Sequence, residues 1–195
     1  MTYGSPAQGY QQAQGQALPP IPPELNQQLY GWFKAVDTDG SGQLTADELQ
    51  KALINGDWSP FNIETVRMMV NMFDHGTIGF NEFGGLWRYV EDWKRCFGAF
   101  DQDGSGSIDR KEMGNALRAF GYNLSDGFVN LLINKFDKYG KWSQGKGDVT
   151  FDNFVQACVT VKTLTDSFRQ FDTDSDGWIR INYESFLDLV VRQRS

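Results

Sequence analysis

The sequence predicts an all-α fold: five helix–loop–helix hands carried on eight helices, with short loop-pairing strands and a disordered N-terminal tail. Three observations predict it. Apolar residues recur at helical spacing from the start of the folded part, Leu25, Leu29, Trp32, Phe33 and Val36 standing at i, i+4, i+7, i+8 and i+11. An Asp/Gly-rich loop interrupts them at Asp37, and the order of aromatic-rich helix, acidic loop and amphipathic helix then returns along the chain. The composition also changes abruptly at Glu24: five of the six prolines (Pro6, Pro19, Pro20, Pro22 and Pro23) precede it, mixed with glutamine and glycine. Such a stretch cannot bury enough apolar surface to offset its ordering entropy, so residues 1–22 are read as the tail and 23–195 as the folded domain.

The first helix stops where DTDGSGQLTADE begins, at residues 37–48, and the same frame returns as DQDGSGSIDRKE at 101–112. Both fit a twelve-residue loop whose oxygen ligands come from positions 1, 3, 5, 7 and 9, with a glycine turning the chain at 6 and a glutamate at 12 closing the shell with two oxygens. This is the EF-hand loop. Hand 1 offers Asp37, Asp39, Ser41, the carbonyl of Gln43, Thr45 through a water, and Glu48. Hand 3 offers Asp101, Asp103, Ser105, the carbonyl of Ser107, Asp109 and Glu112. Ca²⁺ is a hard cation that takes oxygen ligands, and neither loop contains a soft donor. Acidic surface turns that only cap helices are the alternative, and two full matches between amphipathic helices weigh against it.

Three segments carry the frame in damaged form. Around Asp74, counting back from Ile78 and Glu82 puts Asn71, Phe73 and His75 on positions 1, 3 and 5 of hand 2. A phenyl ring cannot coordinate Ca²⁺, and His75 is read as a loop residue. Hand 4 opens at Asp137 and reaches Val149 five residues late, so Trp142, Gln144 and Lys146 fall on ligand positions and Asn153 on the closing one. Removing WSQGK would still leave Tyr139 and Lys141 there, and an ammonium repels the ion, so this hand is structural. Hand 5, DTDSDGWIRINYE, offers Asp172, Asp174, Asp176 and the carbonyl of Trp178, but Tyr183 stands where the closing acid belongs. It is expected to hold Ca²⁺ weakly or to take Mg²⁺.

The loops start at 37, 74, 101, 137 and 172, giving intervals of 37, 27, 36 and 35. Correcting the second for three missing residues and the fourth for five extra ones brings both to 30, room for one helix rather than two. One long helix at about 80–100 therefore serves hands 2 and 3, and another at about 151–171 serves hands 4 and 5. Phe83, Leu86, Trp87, Val90, Trp93, Phe97 and Phe100 form the apolar stripe of the first, and Phe154, Cys158, Val161, Leu164 and Phe168 that of the second. The hands fall at about 25–58, 62–91, 92–121, 125–160 and 161–195. The position-8 residues Leu44, Ile78, Ile108, Val149 and Ile179 supply the pairing strands. Hands 1 and 2 can pair, as can 3 and 4, which leaves hand 5 over. Its unpaired edge predicts a dimer through Trp178, Ile179, Ile181, Phe186, Leu189 and Val190.

Composition narrows the chemistry. The chain has 195 residues, with 18 Lys+Arg against 25 Asp+Glu and a net charge of −7, the wrong sign for gripping nucleic-acid phosphates. One histidine and two cysteines, Cys96 and Cys158, exclude Cys/His zinc sites and any triad not built on His75. There is no phosphate-cradling loop, so no enzyme is expected. No apolar run reaches the roughly 18 residues of a membrane span, and the head reads as neither signal nor transit peptide. A cytoplasmic location is expected, with nuclear and membrane-peripheral pools as extensions of it.

The five hands, the Gly/Pro/Gln-rich head and the segments NGDWSPFN, GGLWRYVEDW, FGYNLSD and FDTDSDGWI resemble the penta-EF-hand family over residues 24–195. The complete first loop at Asp37 aligns the chain with the group of the apoptosis-linked calcium sensor and peflin, whereas the calpain and sorcin group carries an altered first loop. The resemblance implies eight helices, dimerisation through hand 5, and a Ca²⁺-switched adaptor that exposes a hydrophobic groove for Pro-rich segments of trafficking and membrane-repair partners. Ca²⁺-dependent membrane association belongs to the same expectation. Trp58, Phe61, Met69, Trp87, Tyr89 and Trp93, around hands 2 and 3, are the groove candidates because they combine flat rings with a pliable thioether. A regulatory subunit pairing with another family member such as a calpain-like protease, and a passive Ca²⁺ buffer, are the alternatives.

Overall fold

The computed structural model describes residues 5–6, 22–73, 76–137 and 147–192. Most of the 1–22 segment, Asp74 and His75 of the second loop, and Tyr139, Lys141, Trp142, Gln144 and Lys146 of the fourth lie outside the described residues. From Pro23 onward the described residues form eight helices: α1 (Pro23–Val36), α2 (Ala46–Ala52), α3 (Ile63–Phe73), α4 (Phe80–Phe100), α5 (Arg110–Ala119), α6 (Asp126–Asp137), α7 (Phe151–Arg169) and α8 (Tyr183–Arg192). Two short strands, β1 (Leu44–Thr45) and β2 (Thr77–Ile78), accompany them. The fold is all-α in the order that the loop spacing requires. The helices at about 80–100 and 151–171 exist as single elements, α4 with 21 residues and α7 with 19.

Local chemistry sets the boundaries. Pro23 opens α1 at a position where its missing N–H costs no hydrogen bond, and Glu24 in the first turn complements the helix dipole. Helices α2 and α5 begin with a capping box, Thr45 with Glu48 and Asp109 with Glu112. The loops pair as expected. Leu44 lies opposite Ile78 in the antiparallel β1–β2 pair, and Ile108 exchanges both backbone hydrogen bonds with Val149 at 2.8 and 2.9 Å. Among the described residues Ile179 joins no strand pair.

The chain divides into two compact units, Met1–Gln156 and Ala157–Ser195. In the first, α4 supplies the centre: Tyr89 and Trp93 are fully buried, and the Trp93 ring meets Tyr89, Phe120 and Phe154 edge-on at centroid distances of 6.2, 6.3 and 5.9 Å. Such edge-to-face pairs add to the large apolar area each ring removes from water. The expected stripe of α4 is buried at Phe83, Leu86, Val90, Trp93 and Phe97, with Trp87 and Phe100 half-buried at its margins. In the second unit Cys158 and Val161 are buried, but Leu164 is exposed, so the expected apolar stripe of α7 breaks there. Burial pushes the thiol of Cys96, in α4, up to about 12, which disfavours its thiolate form. Among the described residues no helix is long and apolar enough to cross a membrane.

A buried polar network ties the linker after α2 to the start of α7. The Asp152 carboxylate accepts from the Asn62 backbone N–H and the Thr150 hydroxyl. Its own N–H donates to Asn55 Oδ1 at 3.1 Å, and Asn62 Nδ2 reaches Asn153 Oδ1 at 3.3 Å. Asp152 is 2% exposed, so these bonds replace its water. Replacing Asp152 with alanine orphans buried donors and should destabilise the fold by about 1–3 kcal/mol. A chemical-denaturation curve checks this, and an unchanged midpoint would show that the network is energetically idle.

Candidate metal centres

Three acidic clusters form among the described residues: Asp37, Asp39 and Glu48; Asp101, Asp103 and Glu112; Asp172, Asp174 and Asp176. Within each, one carboxylate oxygen per residue lies within 4.8 Å of the others. The loop backbone produces this convergence. Positions 4 and 6 turn through the left-handed region, with Gly40 and Gly42 at φ 69° and 77° and Gly104 and Gly106 at 67° and 78°. Glycine reaches this region without steric cost. Gly42 N–H then donates to Asp37 Oδ2 at 3.1 Å and Gly106 N–H to Asp101 Oδ2 at 3.0 Å, which fixes the carboxylate at the first position of each loop.

The remaining positions are arranged alike. Ser41 N–H donates to Asp39 Oδ1 at 2.9 Å, and Ser105 N–H to Asp103 Oδ1 at 3.0 Å. Hydrogen bonding from Ser41 holds Asp39 below the usual carboxylate range, as Ser105 does for Asp103. The Ser41 and Ser105 hydroxyls meet the Gln43 and Ser107 carbonyls at 2.9 and 3.0 Å, gathering the oxygens of positions 5 and 7. Asp37 Oδ1 is buried with no hydrogen-bond partner. An orphaned carboxylate oxygen beside two more carboxylates is costly without a cation, so this donor set fits Ca²⁺.

The closing glutamates join loop to helix. Glu48 Oε1 accepts from Thr38 N–H and Oγ1 at 2.9 and 3.0 Å, and Oε2 from Thr45 N–H and Oγ1 at 3.0 and 2.9 Å. Glu112 accepts from Gln102 N–H at 2.8 Å and Asp109 N–H at 3.0 Å. Both side chains are buried at the first turn of their helices. Thr45 and Asp109, read from the sequence as ligands at position 9, are also the N-caps.

Hand 5 departs from this geometry for reasons visible in its residues. Arg180 replaces the capping residue at position 9, so α8 starts two residues later than its counterparts, with Asn182 Oδ1 accepting from Ser185 N–H at 2.9 Å. Tyr183, at the closing position, is 78% exposed and supplies no carboxylate. Ser175 stands in the left-handed region at φ 58°, where the other two loops have glycine, a placement that costs about 1–2 kcal/mol for a residue with a Cβ. Asp172 still accepts from Asp176 and Gly177 N–H at 3.1 and 3.2 Å, so the first half of the loop keeps its turn. Trp178 is 81% exposed.

The six groove candidates do not form one surface in this structure. All four of Phe61, Met69, Tyr89 and Trp93 are core residues: α3 turns Met69 inward and α4 turns Tyr89 and Trp93 inward, while Phe61 is buried from the linker before α3, its N–H bonded to the Leu53 carbonyl. Trp58 stands out into solvent from the linker at 85% exposure. Trp87 borders an apolar cleft, of about 220 Å³, whose walls include Trp32 and Val36 of α1, Leu49 of α2, Leu53 beyond it, and Phe83 of α4. The Trp32 and Trp87 rings lie 4.5 Å apart at its edge. From its spacing Trp32 belongs to the apolar face of the first helix and is not among the groove candidates. The signal that could have found the cleft is that Leu49 and Leu53 follow Glu48 at helical spacing on the leaving helix of a complete loop.

The loop hydrogen bonds carry a pH signature. Donation from Thr45 first, and then from Thr38, holds Glu48 down to about 2 from an ordinary 4.5. A depressed folded-state value means that this contribution to stability is complete above pH 4.5 and is lost as the pH falls toward 2. Carboxyl NMR of the Ca²⁺-free chain should place the Glu48 midpoint far below those of ordinary glutamates, and a midpoint near 4.5 would show the bonds are not formed in solution.

Comparison with known proteins agrees with this architecture. Residues 90–159 match an EF-hand domain pair, and residues 29–54 and 164–179 match EF-hand models. Peflin from Danio rerio is 41% identical over 174 residues, covering 88% of this chain and 63% of that protein. The chain spans 60–66% of the length of the four peflins it matches. Sorcin from Homo sapiens is 40% identical over 180 residues, covering 89% of this chain and 87% of the relative. A solved structure of a homolog of programmed cell death 6 protein from Leishmania major Friedlin superposes with a TM-score of 0.70 at 31% identity, covering 86% of this chain and 95% of that one. With acidic EF-hand loops, paired hands and relatives of this identity along most of its length, the chain is a Ca²⁺-binding member of the penta-EF-hand family.

Proposed function

We propose that the chain is a non-catalytic Ca²⁺ sensor and adaptor, with hands 1 and 3 as its principal ion sites and the cleft beside hand 1 as its partner groove. The observation that carries the reading is the continuity of ligand and cleft wall: Glu48 lies in the first turn of α2, and the adjoining Leu49, with Leu53, lines the cleft. Drawing Glu48 onto an ion moves those side chains with it, the way helix pairs open in sensor EF-hands. Asp37, Asp39, Ser41, Gln43, Thr45 and Glu48 would hold one ion, and Asp101, Asp103, Ser105, Ser107, Asp109 and Glu112 the other. The ion supplies charge neutralisation of the carboxylates and no bond chemistry. Asp172, Asp174, Asp176 and the Trp178 carbonyl form a weaker third position, open to Mg²⁺. Aromatic-walled clefts suit Pro-rich segments, which are already extended and lose little entropy on docking. Trp32 and Trp87 give this cleft its rings.

The apolar face of the second unit supports a dimer through hand 5, with itself or with another family member. Trp178, Tyr183, Phe186, Leu187 and Val191 are all exposed, and Ile179, Ile181, Leu189 and Val190 are only half-buried. That concentration of exposed large apolar side chains is unusual for an isolated surface.

Titration calorimetry should find two ions per chain bound with dissociation constants on the order of 10⁻⁷–10⁻⁵ M, the sensor range. Glu48→Ala and Glu112→Ala should each remove one, and full stoichiometry in the double variant would sink the assignment. A Pro-rich peptide should bind in Ca²⁺ and be lost in chelator or on Trp87→Ala, with Mg²⁺ a poor substitute. Equal binding in all conditions would make the chain a constitutive scaffold, and no binding in any would make it a buffer. Truncation after Gln170 should leave a monomer in light scattering, whereas a soluble dimer would place the interface elsewhere.

A further inference from the structure

The two complete loops differ in how many hydrogen bonds their closing carboxylate already accepts, with consequences for the order in which they fill. An ionised carboxylate has about four lone-pair sites on its two oxygens. In hand 3 the Glu112 carboxylate receives two donors, the N–H groups of Gln102 and Asp109, one on each oxygen. Two sites remain for an ion. In hand 1 the Glu48 carboxylate receives the equivalent pair from Thr38 and Thr45 N–H and, in addition, both threonine hydroxyls, so each oxygen carries two donors. Its lone pairs are fully committed, and an ion taking two oxygens must first displace two donors. The backbone N–H groups are held by the loop, so the hydroxyls are the donors that yield. The Thr45 hydroxyl is also the N-cap acceptor for Glu48 N–H at 3.3 Å and is expected at position 9 of the ion site, so it has a role in either state. The Thr38 hydroxyl has its hydrogen bond to Glu48 Oε1, and Thr38 itself is exposed at a loop position that supplies no ligand. Its counterpart Gln102 donates to Glu112 through its backbone.

We propose that Thr38 is a latch on the closing carboxylate of hand 1, so that hand 3 fills first and hand 1, with the cleft wall behind it, answers only to a higher Ca²⁺ concentration. The inference rests on hands 1 and 3 being the ion sites, and adds a threshold to that reading. A net hydrogen bond to a charged group is worth enough to set the two affinities roughly tenfold apart. The half-exposed Lys34 Nζ, 3.7 Å from Asp37 Oδ2, also favours the empty loop, but an exposed pair of this kind contributes little.

The test is calorimetric titration with Ca²⁺ of the full chain, with hand 1 isolated by Glu112→Ala and Asp172→Ala and hand 3 isolated by Glu48→Ala and Asp172→Ala. The hand 3 chain should bind roughly tenfold more tightly than the hand 1 chain. Thr38→Val, which keeps the shape and removes the hydroxyl, should tighten hand 1 by about the same factor and leave hand 3 unchanged. Thr38→Ser, which restores the hydroxyl, should return hand 1 to its original affinity. A merely structural threonine would give the opposite sign, with valine weakening hand 1. Unchanged or weaker binding in the valine variant overturns the latch alone, while no Ca²⁺ uptake by the hand 1 chain with any residue at 38 overturns both the latch and the assignment of hand 1 as an ion site.

Discussion

The carboxylate at the twelfth loop position is the group on which the rest of the structure depends. It faces two ways: toward the loop, where it can close an ion's coordination shell, and toward the backbone, where it completes the N-terminal cap of the leaving helix. One side chain therefore fixes both where the loop ends and where the next helix begins. Helices α2 and α5 start at the tenth loop position because Thr45 and Asp109 cap them and Glu48 and Glu112 answer from the third helical residue. Any ion that pulls on the carboxylate also pulls on a helix terminus, and this shared occupancy makes metal chemistry mechanical in such a loop.

The hands that lost this carboxylate show what replaces it. In hand 4 the closing residue is Asn153, whose amide still donates to Thr150 Oγ1 at 3.1 Å, so α7 keeps its start without a charge in the shell. The neighbouring carboxylate, Asp152, turns inward and binds the Asn62 backbone. Hand 4 thus holds the linker after α2 in place through an acid bonded to backbone and hydroxyl donors. In hand 5 neither the cap nor the carboxylate survives, and α8 is defined by Asn182 instead. Its loop keeps only the aspartate-centred first half, with one residue strained at Ser175.

The fold was legible because its grammar is periodic and local. Glycine at loop position 6, apolar residues at helical spacing and loop intervals of 27 and 35 against 37 and 36 carried enough information to place both shared helices and both strand pairs. The acidic clusters were legible for the same reason, since a loop ligand is specified by its number in the frame. The cleft was not. Whether an aromatic residue is core or wall depends on which neighbours cover it, and Trp93 and Trp87 are indistinguishable by type and by helix although one is fully buried and the other borders open space. The Asp152 network was equally hidden, because its partners stand about ninety residues away in sequence. The strained Ser175 and the hydroxyl of Thr38 were in plain view, but their meaning requires the hydrogen-bond geometry.

The difference between the two complete loops bears on how a chain with several similar sites can give a graded response. Two loops of equal affinity on one chain would report a single Ca²⁺ threshold, and the second would only steepen it. Loops whose ligands match except at position 9, Thr45 against Asp109, report two thresholds when their closing carboxylates are committed to different degrees. The cleft is lined by residues of the leaving helix of hand 1, the loop with the more committed carboxylate. The loop whose carboxylate has room, hand 3, is followed by α5, whose buried Met113, Ala116 and Leu117 pack into the interior. On this arrangement filling hand 3 would act on the interior of the first unit, and filling hand 1 on the wall of the cleft proposed as the partner groove. A ligand set read from the frame alone assigns both loops the same role; the hydrogen bonds already present on their carboxylates separate them.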